Sequence, residues 1–160
     1  SSSNMIEEAR LIAKIHKNII VKIPATNDGF QALKQVSLEG IKTNFTVLYT
    51  ANQALLAAKL GATYVSPFVG RLDANTTDGS GLLREIVRIY NNYKLPTKVL
   101  AASMRNVIYV KEAALSGCHV ATIPPEIIDQ MMFSEMSEIA LSGFLKEWEK
   151  LPEDKRRYFD

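Results

Sequence analysis

Hydrophobic and polar positions along the chain follow two alternating patterns. Short runs rich in β-branched residues, such as 18–23, 43–48 and 64–66, are each followed by a longer stretch with apolar residues at helical spacing. Two more short runs, at 98–102 and 119–123, continue the series. Short apolar runs that alternate with amphipathic stretches predict repeated strand–helix units. We therefore expect about five such units, which form a parallel sheet covered by helices.

Polar residues and prolines mark where the predicted helices begin. Asn27 or Asp28 is in position to cap the second helix, and Thr50 and Asn106 precede two later ones. Side chains of these types accept hydrogen bonds from the free amides of a first helical turn. Pro125 is expected in the first turn of a short helix, where its missing N–H costs nothing.

Length and charge limit the kind of protein. The 160 residues, 47% hydrophobic and 22% charged, suit one domain with a sizeable core. We predict a single domain over 1–160, with a final helix at about 134–151 and a tail at 152–160. A net charge of +2 and no apolar run of membrane-spanning length lead us to expect neither nucleic acid nor a membrane as partner. Cys118 is the only cysteine, which fits a reducing, cytoplasmic setting.

Two parallel architectures are compatible with repeated strand–helix units. A nucleotide-binding doubly wound sheet would carry a glycine-rich fingerprint or a phosphate-binding loop, and the sequence has neither. The other architecture, the (β/α)₈ barrel of the TIM type, needs eight strands and at least about 200 residues. This chain is roughly three units short, so we expect a partial (β/α) barrel.

Lys22 is the strongest candidate for chemistry. It lies between Val21 and Ile23 in a predicted strand, and barrel chemistry occurs at the carboxyl ends of strands. Burial there would disfavour the ammonium form, and a neutral amine can attack a carbonyl carbon. The alternative is a lysine that extends its charge to solvent at the sheet rim.

Two arginines follow later strands and suit an anion. Arg71 and Arg105, with the Ser103 hydroxyl, could hold a phosphate. Each arginine could equally form a surface ion pair, for example with Asp73 or Glu112.

Other polar side chains at the predicted strand ends are less specific. Asn44, Thr46 and Ser66 could orient a water or substrate hydroxyls, or could bond to backbone at a strand end. His16 and His119 lack a metal-ligand spacing, so we expect no metal.

Four segments together resemble the transaldolase family, especially its short members, which include fructose-6-phosphate aldolase. They follow one another in the family's order and with similar spacing, and the resemblance covers nearly the whole chain from about Met5. The segments are Ile-Val-Lys-Ile-Pro at 20–24, Thr-Asn-Phe-Thr at 43–46, Ser-Pro-Phe-Val-Gly-Arg-Leu-Asp at 66–73 and Ala-Ala-Ser-Met-Arg-Asn at 101–106.

The resemblance implies the C-terminal five units of a (β/α)₈ barrel, strands four to eight. It implies that Lys22 is the Schiff-base lysine and that Asn44 and Thr46 are catalytic-site residues, the threonine helping to hold the catalytic water. At two positions the resemblance is closer to a transaldolase than to the aldolase subgroup. That subgroup carries tyrosine at the position of Phe68 and tends to carry lysine at the position of Arg105. The implied substrate-binding residues are Ser66, Phe68, Arg71, Ser103 and Arg105.

The resemblance also implies an activity. A class I transaldolase moves a dihydroxyacetone unit from a ketose phosphate to an aldose phosphate in the pentose phosphate pathway, without metal or organic cofactor. We expect sugar phosphates of the fructose 6-phosphate, erythrose 4-phosphate and sedoheptulose 7-phosphate class as substrates. The alternatives are a fructose-6-phosphate aldolase and a non-catalytic sugar-phosphate-binding or assembly module.

Assembly is a further implication. Short family members form homo-oligomers through the C-terminal helix, so we expect 144–158 to contact a neighbouring copy. The alternative is that this segment packs on its own barrel.

One part of the family's site has no counterpart in this sequence. The family's acid/base aspartate lies on the first barrel strand, whereas Asp28 begins a helix and Asp73 lies in a loop. Strands four to eight alone would leave two open sheet edges. We considered a fragment of a longer protein, a chain that pairs with another copy or a missing piece, and a truncated protein without turnover. Imine formation is expected of the residues present, and complete turnover requires a group from elsewhere.

Overall fold

Five parallel strands form one sheet and pair in the order in which they occur in the chain. The computed structural model describes residues 1–70 and 78–156. Helices alternate with the strands, so the predicted α/β fold of a partial (β/α) barrel is confirmed. The strands are β1 (Val21–Pro24), β2 (Thr43–Leu48), β3 (Tyr64–Pro67), β4 (Lys98–Ala101) and β5 (Val120–Ala121).

Seven α-helices and a short 3₁₀-helix (Glu153–Lys155) lie within the described residues. None of these described helices is long and apolar enough to cross a membrane. The α-helices are α1 (Ser2–Ala13), α2 (Asn27–Leu38), α3 (Ala51–Lys59), α4 (Gly79–Asn92), α5 (Val107–Leu115), α6 (Pro125–Met132) and α7 (Glu135–Glu149).

Three of the predicted helix starts are confirmed and one is wrong. Thr50 and Asn106 cap α3 and α5, and Pro125 is the first residue of α6. The cap of α2 is Thr26, whose hydroxyl accepts a hydrogen bond from the Gly29 amide at 3.0 Å. Neither Asn27 nor Asp28 has this role, because both already belong to the helix.

The two edge strands differ from their predicted extents. The first strand is predicted within 18–23, whereas β1 begins at Val21 and has Pro24 as its last residue. The amides of Val21 and Ala25 donate to the carbonyls of Lys42 and Thr46, so the proline nitrogen points to the unpaired edge of the sheet, where a missing donor breaks no pairing. The strand predicted over 119–123 is reduced to Val120–Ala121, which pairs with the end of β4.

The helices cover one face of the sheet. Alternate strand residues point to that face and form the core with the helices, while the residues between them point to the other face. Phe45 is fully buried there, and its ring lies 4.7 Å from the ring of Phe30 in α2. The residues of the core-facing set include Val21, Ile23, Phe45, Val65, Val99 and Ala101.

Candidate functional site

The strand face opposite the helices, here called the open face, carries most of the predicted site. Lys22 pairs in register with Asn44, and Thr46 pairs with Ser66. Residues two apart on a strand share a face, so these four side chains lie on the same side of β1, β2 and β3. Neighbouring strands are about 4.8 Å apart and residues rise about 3.3 Å along a strand, so the backbone of Ser66, two strands and two residues away, lies about 12 Å from that of Lys22.

A hydrogen bond joins two of these side chains across neighbouring strands. The Ser66 hydroxyl donates to the Oδ1 atom of Asn44 at 2.6 Å, and Ser66 is 1% exposed. With its oxygen accepting from Ser66, the Asn44 amide leaves its NH₂ group as a donor for a ligand. The pair therefore fixes a hydrogen-bond donor next to Lys22.

Thr46 places a hydroxyl at the centre of this group. Its Oγ1 atom is buried and has no hydrogen-bond partner among the described residues. The backbone carbonyl of Thr46 accepts from the Ala25 amide at 2.8 Å, which holds the residue in the sheet. A buried hydroxyl of this kind is commonly paired with a water or a ligand, and a water here would lie on the side of the sheet that carries Lys22.

Lys22 itself is exposed, so the prediction that it is buried within the strand is wrong. The buried neighbours Val21 and Ile23 point to the helices, whereas Lys22 points to the open face. Its side chain is therefore accessible to a small molecule that approaches the open face.

The ends of β3 and β4 bring a second group of predicted residues together. Phe68 forms a parallel bridge with Ala102, one residue before Ser103. A Cβ atom at Gly70 would clash with the Ser103 carbonyl oxygen and would lie 3.1 Å from the side-chain carbons of Arg105. Only glycine allows the two chain segments to approach so closely. The approach places Arg105, which is exposed, beside the end of β3.

Ser103 also borders a small cavity at the ends of β4 and β5. It has a φ of +64°, in the left-handed region, and lines a space of about 230 Å³ with Met104, Thr122, Ile123 and Pro124. Arg71, the remaining predicted phosphate ligand, lies outside the described residues. The structure thus places Phe68, Ser103 and Arg105 at neighbouring strand ends, next to the group around Lys22.

The chemistry of this face is that of an amine with neutral hydrogen-bonding partners. None of the five described strands contains an aspartate or a glutamate. Among the described residues, no group of three histidine, cysteine, aspartate or glutamate side chains could hold a metal ion. The arrangement can bind a polar ligand and form a covalent bond to a carbonyl carbon through Lys22.

Tyr49 also belongs to the site, although no pattern in the sequence points to it. Its ring lies 6.2 Å from the ring of Phe68, edge to face at 77°. The signal in the sequence was weak, since Tyr49 follows β2 directly and reads as an ordinary aromatic residue before the Thr50 cap.

Similar sequences occur among known proteins. Residues 1–157 match the family model described as transaldolase/fructose-6-phosphate aldolase. A probable transaldolase of Caldicellulosiruptor saccharolyticus is 52% identical over 152 residues, 94% of this chain and 70% of the relative. A probable transaldolase of a Thermoanaerobacter species is 51% identical, over 93% of this chain and 69% of the relative. One of Thermus thermophilus is 50% identical, over 92% and 66% respectively.

Proposed function

This chain belongs to the transaldolase/fructose-6-phosphate aldolase family, and we propose that Lys22 forms a Schiff base with a ketose phosphate for transfer of a dihydroxyacetone unit. One observation carries the proposal: an accessible lysine shares a sheet face with a buried, unpaired Thr46 hydroxyl and with the Asn44–Ser66 hydrogen bond. This proposal assigns the chain to the sugar-phosphate exchanges of the pentose phosphate pathway.

The reaction begins at the Lys22 nitrogen. The unprotonated amine attacks C2 of the ketose, and the resulting carbinolamine loses water to give a protonated imine. The C3–C4 bond then breaks, its electron pair moves toward the imine nitrogen, and the C4 hydroxyl gives up its proton as the aldose phosphate leaves. The enamine that remains on Lys22 attacks the carbonyl carbon of an acceptor aldose phosphate. Hydrolysis of the new imine releases the product ketose.

The neighbouring side chains have separate roles in this scheme. The Asn44 amide, fixed by Ser66, donates to a hydroxyl of the bound sugar. The Thr46 hydroxyl holds the water that leaves and re-enters at the imine carbon. These groups bind the three-carbon unit that stays on the enzyme.

The phosphate end of the sugar would lie at the ends of β3 and β4. The Ser103 hydroxyl and the Arg105 guanidinium suit a phosphate, and Arg71 joins them by resemblance. Phe68, at the end of β3, provides an apolar contact between this end and Lys22. A phosphate bound there directs the reacting carbons of the sugar toward the amine.

The proton transfers need a group that the described strands do not supply. A carboxylate is the usual acid/base in such chemistry, and the five described strands contain none. The proton of the C4 hydroxyl must therefore pass to water or to a group outside the described strands. Imine formation at Lys22 is accordingly the step that this chain can be tested for directly.

Borohydride trapping tests the proposal. Borohydride reduces an imine to a stable amine, so incubation with fructose 6-phosphate should leave one covalent adduct per chain, measured as intact mass. Lys22→Met should abolish the adduct. Lys98→Met is the matched control, because Lys98 is another exposed lysine of the open face and lies in the same register row as Lys22. Equal labelling of the wild type and Lys22→Met would contradict the proposal.

Two other functions can be distinguished from Schiff-base transfer by related measurements. The family description also names fructose-6-phosphate aldolase, and release of free dihydroxyacetone without an acceptor sugar would indicate that activity. The lack of a strand carboxylate favours a second candidate, a non-catalytic sugar-phosphate-binding module. Saturable binding of fructose 6-phosphate without any trapped adduct would indicate binding alone.

We also propose that the protein forms a homo-oligomer through α7. No residue of this helix is buried, and its apolar side chains include Met136 and Phe144, each 72% exposed. Apolar side chains so exposed on one helix mark an interaction surface. A second copy of the chain is the partner that this proposal predicts.

A further inference from the structure

An irregularity in β2 changes which residues face the site. Thr46 pairs with Ser66 and Leu48 pairs with Pro67, so Val47 is an extra residue on its strand. This is a β-bulge, a feature that often redirects a side chain next to an active site. Val47 has a φ of +58°, which is unusual for a β-branched residue. A disfavoured conformation at this position indicates that the bulge is held by its surroundings.

The bulge reverses the facing of the next two residues. In a regular strand, Leu48 would share the open face with Thr46, and Tyr49 would point to the helices. Instead, Leu48 is fully buried in the helix-side core. Tyr49 takes the opposite direction and lies edge to face with Phe68. The extra residue therefore allows Leu48 to enter the core while the Tyr49 ring contacts the Phe68 ring at the end of β3.

Phe68 lies where the bulged segment of β2 meets the end of β3. It follows the last residue of β3 and extends the pairing with β4 by a single bridge to Ala102. On the other side, its amide donates to the Leu48 carbonyl at 3.3 Å, directly beyond the bulge. The segment from Val47 to Tyr49 thus contacts both the backbone and the ring of Phe68.

From this geometry we propose that Tyr49 is a positioning residue, whose ring holds Phe68 against the sugar bound at Lys22. The proposal rests on the proposed function of the site, since it assigns Phe68 a contact with the substrate. Tyr49 acts through Phe68 by its ring edge, so the phenol hydroxyl is not required. An edge-to-face pair favours one ring orientation over others, and its loss should weaken sugar binding rather than the bond-forming step.

The experiment measures borohydride trapping at increasing fructose 6-phosphate concentration. Tyr49→Leu removes the ring and should raise the half-saturating sugar concentration about two- to ten-fold, with little change in the maximal trapping rate. Tyr49→Phe keeps the ring and should restore the wild-type value. Urea unfolding of each variant shows that it is folded under the assay conditions.

The outcomes separate this inference from the proposed function. Absence of trapping in the wild type would refute both, whereas normal trapping with unchanged half-saturation in Tyr49→Leu would refute the positioning role alone. Equal defects in Tyr49→Phe and Tyr49→Leu would also refute it, because the hydroxyl would then be responsible.

Discussion

The hydrogen bond from Ser66 to Asn44 offers a quantitative test of the site's geometry. The bond is short, 2.6 Å, and its donor is 1% exposed, while Asn44 is half-buried. Ser66→Ala removes the donor, and water reaches the Asn44 oxygen only partly. The net contribution of such a bond to folding is about 1 kcal/mol. With a urea dependence of about 2 kcal/mol per molar, the unfolding midpoint should fall by about 0.5 M.

A double-mutant cycle isolates this bond from other effects of the substitutions. Ser66→Ala, Asn44→Ala and the double variant are compared with the wild type by urea unfolding, followed by circular dichroism. If the bond joins β2 to β3 as described, the double variant loses about 1 kcal/mol less than the sum of the single losses. Strictly additive losses would show that the two side chains do not interact, and the account of the fixed Asn44 amide would be wrong.

Three further predictions concern pH, the core and assembly. Arg10 hydrogen-bonds to Glu39 and lowers the pKa of that carboxyl from 4.5 to about 2. The contribution of this pair to folding stability is therefore complete above pH 4.5 and is lost as the pH falls toward 2. Urea midpoints measured across this range should depend less on pH in Glu39→Gln, and an identical dependence would contradict the prediction. Phe45→Ala should cost about 3–5 kcal/mol in the free energy of unfolding, because Phe45 is fully buried against Phe30; a urea-derived loss below about 1 kcal/mol would contradict this packing. Phe144→Asp should lower the molar mass measured by light scattering, whereas Lys146→Ala, on the same exposed helix, should not; an unchanged mass in Phe144→Asp would argue against α7 as the interface.

The alternating pattern of the sequence predicted the fold because its signals are local. Gln53 lies three residues after Thr50, and each side chain hydrogen-bonds to the other's backbone amide. The start of α3 therefore follows from a few neighbouring residues. The parallel order of the strands follows from the helices between them. The cap of α2 was less predictable, since three adjacent residues, Thr26, Asn27 and Asp28, are all good caps. Which of these three residues becomes the cap depends on where β1 ends.

The site was predictable in its composition but less so in its geometry. Register pairing brings Lys22, Asn44, Thr46 and Ser66 to one face. The strand-end positions expected from the sequence were less accurate, because Lys22 and Asn44 are each the second residue of their strands. The exposure of Lys22 was not predictable from its apolar neighbours, because they point to the opposite face. A one-residue bulge at Val47 also has no clear sequence signal, since glycine or asparagine would be expected at a positive φ.

The central claim, that Lys22 is the Schiff-base amine, is tested most directly by peptide mapping after borohydride reduction with fructose 6-phosphate. We expect the label on the peptide that contains Lys22 and none on the peptide that contains Lys98. A three-carbon label would show that the C3–C4 bond has broken, and a six-carbon label that the imine formed without cleavage. A label distributed over several lysines, or none on Lys22, would contradict the account.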